Sequence, residues 1–405
     1  MEVAREDISL LEALREDLGC RSVKDGCSPQ GQCGCCTVLV DGAARVSCVT
    51  PVRRVAGRVV TTVEGLPADR IGPLVASFAG HGASQCGFCT PGILCRLAAL
   101  PSPASAGAVE SALLAHLCRC TGWRSVVDAA TESPGALVDL RPGVAGGAAA
   151  RAALEGGVVQ AVGPDVVRGR GGFADDTAPA GCLVAVPRAG ASVADLASPD
   201  GWSVAPTLAE ARAGAGKIQG RRSGQPLSYP VPVPEGEWDI RVQTTWVEPA
   251  YLEPDSSWCL PGGSPASPVA NGGAFGGKAD SVVPAAARML ADHLGRAVRV
   301  LYSREDVVRF GPKRPPVGAG VRLDGSGVLR VGVSPTDCVQ KPQIVVDDRT
   351  QSAGLVVETV PVTGPGTSSD IRAAVWAEAA ILEAAAAAVS VGTTAVTVTT
   401  AEGAR

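Results

Sequence analysis

Eight cysteines in two groups are the residues of this chain most able to do chemistry. The later group runs from Cys86 to Trp123. It reads Gln85-Cys86-Gly87-Phe88-Cys89-Thr90-Pro91-Gly92 and then Cys118-Arg119-Cys120-Thr121-Gly122-Trp123. A CxxC step followed by a CxC step supplies four soft thiolates, which select zinc, copper(I) or iron–sulfur clusters. Structural zinc favours wider knuckles on both sides. A CxC pair holds its sulfurs closer and suits one iron of a [2Fe–2S] rhomb. Iron–sulfur is the reading these spacings favour, with zinc the competing one.

The earlier group is Gly26-Cys27-Ser28-Pro29-Gln30-Gly31-Gln32-Cys33-Gly34-Cys35-Cys36-Thr37-Val38, followed by Cys48. Plant-type ferredoxins space their ligands as Cys-x4-Cys-x2-Cys with a distant fourth. Here Cys33 to Cys36 gives the x2 step and Cys48 the distant ligand, while the gap from Cys27 to Cys33 is one residue longer. Cys35 competes with Cys33 and Cys36 for the ligand role. Cys33 and Cys36 are kept because they preserve the x2 step. Glycine and serine in this loop fit a backbone that wraps a cluster and aims N–H groups at its sulfurs.

Together the two motifs, "GC…QCGCCTV…SC" and "QCGFCTPG…LCRCTGW", resemble the iron–sulfur region of the xanthine dehydrogenase and aldehyde oxidase family of molybdenum hydroxylases. The resemblance is continuous over about residues 3–130. It implies a ferredoxin-like β-grasp domain holding one [2Fe–2S] cluster and a four-helix bundle holding a second. The matching ligands are Cys27, Cys33, Cys36 and Cys48 for one cluster, and Cys86, Cys89, Cys118 and Cys120 for the other. It also implies that Gln85 and Cys120 lie beside the pterin of a molybdenum cofactor.

Composition bounds the alternatives. The chain has 405 residues, enough for two or three domains. A net charge of −4 argues against nucleic acid or an anionic membrane surface as partner. No apolar run reaches the length of a membrane span, about 18 residues or more. No secretory signal is visible at Met1–Asp7. Fourteen cysteines without export point to a reducing, cytoplasmic setting and to metal binding rather than disulfides.

The elements that must position the thiols can be read from pattern. Ser9-Leu10-Leu11-Glu12 is a capping box. Leu10, Leu11, Leu14 and Leu18 then follow helical spacing over 10–18. Thr37–Val40, Asp41-Gly42 and Ala43–Cys48 form a hairpin with a type I′ turn, and Val55–Val63 is a third strand. A β-grasp fold normally opens with a hairpin before its helix, and only Glu2–Asp7 precedes it here. Thr90 caps a helix with Pro91 at its first position. Further helices are expected at Ala106–Leu117 and from Ser125 to Ala130. His81 and His116 read as surface or packed histidines, because each thiol set already counts four. Cys20 and Cys95 read as small packing residues.

Residues 136–165 are rich in Gly, Ala and Pro and read as a linker. No room for a flavin domain exists near it, so a flavin would sit on another subunit. Beyond it, residues 166–405 resemble an abbreviated molybdenum-cofactor region of the family. The resemblance rests on Gly171–Asp176, on Leu252-Glu253-Pro254 and above all on Gly272-Gly273-Ala274-Phe275-Gly276-Gly277-Lys278. In that loop Gly273, Phe275 and Gly276 would bring main-chain amides to the cofactor. Clustered glycines suit that role because they permit close approach and leave N–H groups free for an anion. A helix at 283–294, a strand at Ala297–Tyr302, a hairpin around Asp324-Gly325, a helix at about 370–388 and a final strand within Val389–Thr400 complete the expectation. Arg304, Arg314, Glu378 and Glu383 read as structural charges.

The expected fold class is therefore α+β: a β-grasp domain over 1–65, a helical cluster-binding domain over 66–135, a linker, and a mixed α/β molybdopterin-binding-like region. The family's C-terminal loop with its basic glutamate has no counterpart here, so no catalytic residue is assigned. Two functions lead, ahead of a zinc-stabilised interaction protein. One is a xanthine dehydrogenase-type oxidoreductase that passes electrons from a purine or aldehyde hydroxylation site to a flavin, completed by a partner chain. The other is a non-catalytic electron-transfer subunit with a vestigial cofactor domain.

Overall fold

The structure is a computed structural model. It describes residues 5–28, 30–132, 161, 163–216, 228–246, 251–269, 271–274, 277–278, 281–313, 315–324, 326–334 and 354–364, with the backbone of 396–400. The chain forms two compact units. The first holds residues 1–220, 250–274 and 281–310, and the second holds 221–249, 275–280 and 311–405.

The first unit opens with a short helix, α1 (Leu10–Glu12), continued by a wider turn over Ala13–Asp17. Ser9 caps it by accepting from Glu12 N at 3.2 Å. Strands β1 (Thr37–Val40) and β2 (Ala43–Val46) pair antiparallel, with Val40 opposite Ala43. Asp41 and Gly42 both have positive φ, as a type I′ turn requires. The third strand shrinks to β3 (Val60–Thr61), because Val52–Val55 winds into a 3₁₀ turn.

Four helices follow: α2 (Ala68–Gly80), α3 (Thr90–Ala98), α4 (Ala106–Leu113) and α5 (Arg124–Thr131). Helix α2 packs on α3 and α5, and α4 packs on the same two. Helix α3 starts one residue earlier than expected: Cys89 is its N-cap, and the Thr90 hydroxyl bonds Ser84 instead, at 2.9 Å. Helix α4 stops at Leu113 rather than Leu117; a turn at Leu114 and Ala115, closed by His116 N donating to Leu113 O at 2.9 Å, leads into Cys118. One continuous core joins these elements, from Leu10 through Val38, Phe78, Ile93, Leu94 and Val126 to Val167 and Phe173.

Within the same unit lies a four-stranded sheet, ordered β5 (Trp202–Ala205), β4 (Leu183–Pro187), β8 (Val298–Leu301), β7 (Ser256–Cys259). One face buries Trp202, Val298 and Val300 against a helix over Val283–Leu294, which matches its expected bounds. The other packs Val184 and Val186 against a helix over Leu208–Gly214. The second unit is a five-stranded sheet ordered β11 (Leu355–Pro361), β10 (Gly327–Val333), β9 (Val317–Val321), β6 (Ile240–Thr244), β12 (Val396–Thr400). Ile240, Val242, Val317, Ala319, Leu329 and Val331 form its core. The expected helix at 370–388, Arg314, Gly325, most of the linker, Phe275 and Gly276 lie outside the described residues. Among the described residues no helix is long and apolar enough to cross a membrane.

Candidate iron–sulfur centres

Both thiol sets gather in space. In the first, the loop after Val23 carries Cys27 and Cys33, β1 begins just beyond Cys36, and Cys48 follows β2. The Cys27 thiol touches those of Cys33 and Cys48, and Cys36 touches Cys48. Gln30 N points at Cys27 Sγ from 3.1 Å and Cys48 N at Cys36 Sγ from 3.5 Å. These four residues are no more than 6% exposed. The Cys33 and Cys48 thiols hold Cys27 well below its usual thiol range, against its burial. Cys48, donating to Cys27 and Cys36, is driven up. Cys35 is also buried; its thiol reaches Cys33 O at 3.7 Å and touches the Cys33 thiol.

In the second set, Cys86 and Cys89 precede α3 and Cys118 and Cys120 precede α5. Cys86 Sγ and Cys120 Sγ lie 3.5 Å apart, and Cys89 touches Cys118. The Cys89 thiol and the Thr121 hydroxyl, 3.1 Å from Cys118 Sγ, hold Cys118 down to about 6 against its burial. Gly122 and Trp123 both take positive φ, turning the chain sharply from Cys120 into α5. For a tryptophan that conformation is costly, and such strain clusters at functional sites.

The donor sets are entirely sulfur, four thiols at each place, with backbone N–H groups aimed at sulfurs of both. A two-iron rhomb asks for four thiolates, so the chemistry of the donors fits a [2Fe–2S] cluster at each place.

Distant chain closes over the second set. Asn271 Nδ2 donates to Cys86 O at 2.6 Å. A Cβ at Gly273, where φ is +80°, would lie 3.0 Å from Cys86 Sγ and 3.6 Å from Cys120 Sγ. Gly273 and Cys120 are thus brought together, while Gln85 is exposed on the chain beside them. Arg304 is a brace: its guanidinium donates to Tyr251 O at 2.8 Å and to Leu252 O and Gly26 O at 2.7 Å.

The sequence reading missed a buried ionic network that grips the first loop. Lys24 bonds Asp176 and donates to Gly169 O at 2.8 Å. Arg15 reaches Asp175 at 2.6 Å and Asp176 at 3.0 Å, and Arg299 reaches Glu16 at 2.6 Å and Asp175 at 3.0 Å. Burial opposes the charge on Asp175, but Arg15 and Arg299 outweigh it and hold its carboxyl well below the usual range. No pattern signal finds such a network, because its members lie up to 283 residues apart. Of the two places expected for His116, surface or packed, it takes the packed one: burial, then Arg96, push its pKa down to about 4, so the ring is neutral. Cys95 is buried and its thiol is pushed up to about 12, as an inert packing residue.

Comparison with known proteins agrees with this geometry. A family described as a [2Fe-2S] binding domain matches residues 62–131. The nicotine 6-hydroxylase small subunit of Paenarthrobacter nicotinovorans is 44% identical over 138 residues, covering 33% of this chain and 81% of that protein. The xanthine dehydrogenase iron-sulfur-binding subunit of Escherichia coli O157:H7 is 39% identical over 125 residues, covering 29% of this chain and 77% of that subunit. The solved structure of the aldehyde oxidoreductase from Desulfovibrio gigas shares the fold over 91% of this chain, with a TM-score of 0.61 at 20% identity. This chain spans 57% of that one. On the sequence shared with those iron–sulfur subunits, the chain belongs to the xanthine dehydrogenase and aldehyde oxidase family of molybdenum hydroxylases.

Proposed function

We propose that this chain relays electrons through two [2Fe–2S] clusters, the inner end of the relay facing a molybdenum cofactor. Cys86, Cys89, Cys118 and Cys120 hold one cluster, and Cys27, Cys33, Cys36 and Cys48 the other. The observation that carries the reading is the convergence of eight thiols into two all-sulfur sets, one of them closed by Gly273. When bound, each cluster takes up and gives up one electron at a time. The residues do the rest: burial excludes water, and amides such as Gln30 N and Cys48 N stabilise negative charge on the sulfurs.

In this reading residues 1–65 and 66–135 are the two electron-carrying domains, and residues 166–405 the part that faces the cofactor. Gln85, Cys120 and the Gly273–Gly276 loop would flank the pterin. The substrate class is a purine or an aldehyde, with a flavin-bearing subunit as acceptor and a further chain completing the molybdenum domain. The second reading, an electron-transfer subunit that binds no molybdenum, is favoured by one observation: the sequence matches to small subunits cover about a third of this chain.

Elemental analysis and EPR of the purified chain with its co-purifying partners test both. About four iron per chain with one molybdenum supports a hydroxylase, and about four iron without molybdenum supports the second reading. Cys120→Ser should remove one of two distinct EPR signals. Two unchanged signals in that variant would sink the ligand assignment, and zinc in place of iron would sink both readings.

A further inference from the structure

The chain that leads into Cys118 docks directly on the turn that carries Cys33. Leu117 N donates to Cys33 O at 2.9 Å. Leu117 is bonded to Cys118, so only one hydrogen bond separates a thiol-bearing residue of one set from a thiol-bearing residue of the other. The fit is tight. A Cβ at Gly34 would lie 2.6 Å from His116 Cδ2 and 2.7 Å from Ala115 O. Gly34 also needs its φ of +70°, so both sterics and backbone conformation demand glycine there.

His116 is 3% exposed and is pinned from the side of the first set. Its Nε2 lies 3.2 Å from Thr37 Oγ1, and the Thr37 hydroxyl donates to Gly34 O at 2.8 Å. A hydroxyl has one proton. With that proton on Gly34 O, Thr37 must accept from the ring, which fixes the proton on Nε2. Nδ1 is buried without a well-aligned hydrogen bond, and the Gly92 main chain is a further polar neighbour of the ring. An apolar side chain would fill the same space without burying a polar ring. What the imidazole adds is the chain of bonds from His116 through Thr37 to Gly34, which holds one turn against the other.

From this geometry we propose that His116 is a positioning residue for electron transfer. It clamps the Cys33–Gly34 turn onto Leu117–Cys118, so that a single hydrogen bond bridges the ligands of the two clusters. The inference rests on the reading of the two thiol sets as cluster ligands, and it adds the route between them and the residue that keeps it short.

The test is the magnetic interaction between the two clusters. Each reduced [2Fe–2S] cluster carries one unpaired electron, and the splitting of their low-temperature EPR signals depends steeply on separation. The full chain, reduced with dithionite, is compared as wild type, His116→Leu, His116→Gln and Thr37→Val. The wild type should show the splitting. His116→Leu should lose it while both g-value sets and the iron content stay intact. Thr37→Val should narrow it, and His116→Gln, which can still donate to Thr37, should retain it. Unchanged splitting in both His116→Leu and Thr37→Val overturns the proposal, as does a wild type with both signals and no splitting. Loss of iron in His116→Leu, with Thr37→Val like the wild type, also overturns it and leaves His116 a folding residue. Failure of the underlying reading is distinct: the wild type itself would lack two [2Fe–2S] signals.

Discussion

The two thiol sets are enclosed in different ways. Cys27, Cys33, Cys36 and Cys48 are wrapped by their own loop and by the hairpin that follows it, and all are buried. Cys86, Cys118 and Cys120 are only half-buried, and Asn271, 185 residues away from Cys86, is part of what covers them. The first set is thus wrapped by its own loop and hairpin, with Arg304 and the Lys24 network bracing that loop from afar, while the second is covered in part by distant chain. Solvent exposure and hydrogen bonds to sulfur tune the potential of a cluster. Two centres of the same chemistry, enclosed so differently, should differ in midpoint potential.

The largest way to break that comparison is to remove a ligand. Cys33→Ala should abolish the EPR signal of the first cluster and leave the second, whereas Cys35→Ala should leave both. If Cys35→Ala is the variant that loses the signal, the two thiols have been assigned the wrong way round. Next in size, Asp176→Leu leaves Lys24 buried without its carboxylate. Breaking one side of a buried ion pair costs about 3–5 kcal/mol, so the denaturation midpoint should fall steeply. A midpoint within error of wild type would show that the network does not brace the first loop.

A smaller effect sharpens the contrast from the other side. Gly273→Ala puts a methyl 3.0 Å from Cys86 Sγ at a positive φ. It should alter the line shape of the second cluster alone, with a stability loss of about 1 kcal/mol. A change in the first cluster instead would refute the local account. Smallest is the surface pair of His81 and Glu132, 2.9 Å apart. Glu132 and the Ser77 carbonyl raise the His81 pKa. A raised folded-state value stabilises fully below the unfolded histidine value of about 6.5 and is lost as pH rises through the folded one. The pair is largely exposed, so its contribution is at most about 0.5 kcal/mol. His81→Gln should flatten the pH dependence of Tm across that window, and an unaltered slope would remove the pair from the account.

Legibility followed range. The eight ligating candidates, the Asp41-Gly42 turn and the 283–294 helix were readable, because each is encoded by spacing or by residues a few positions apart. Boundaries slipped where side chains chose other partners: Thr90 bonds Ser84, so the cap of α3 passes to Cys89. His116 was legible only as a surface or packed residue and not as a clamp, because its meaning depends on Gly34 and Thr37 on a distant loop. The Arg15–Lys24–Asp175–Asp176–Arg299 network was not legible at all. Isolated charges in sequence look solvated, and only the fold shows that these are buried and paired.

The depth of the first thiol set bears on how the protein matures. Its four sulfurs lie under their own loop, and the Lys24 network holds that loop from behind. Burial of that kind predicts that this cluster is loaded while the chain is still open rather than into the finished fold. The second set, held shut from a distance, leaves a later opportunity. Depletion of the assembly machinery should therefore yield chains missing the first cluster before the second.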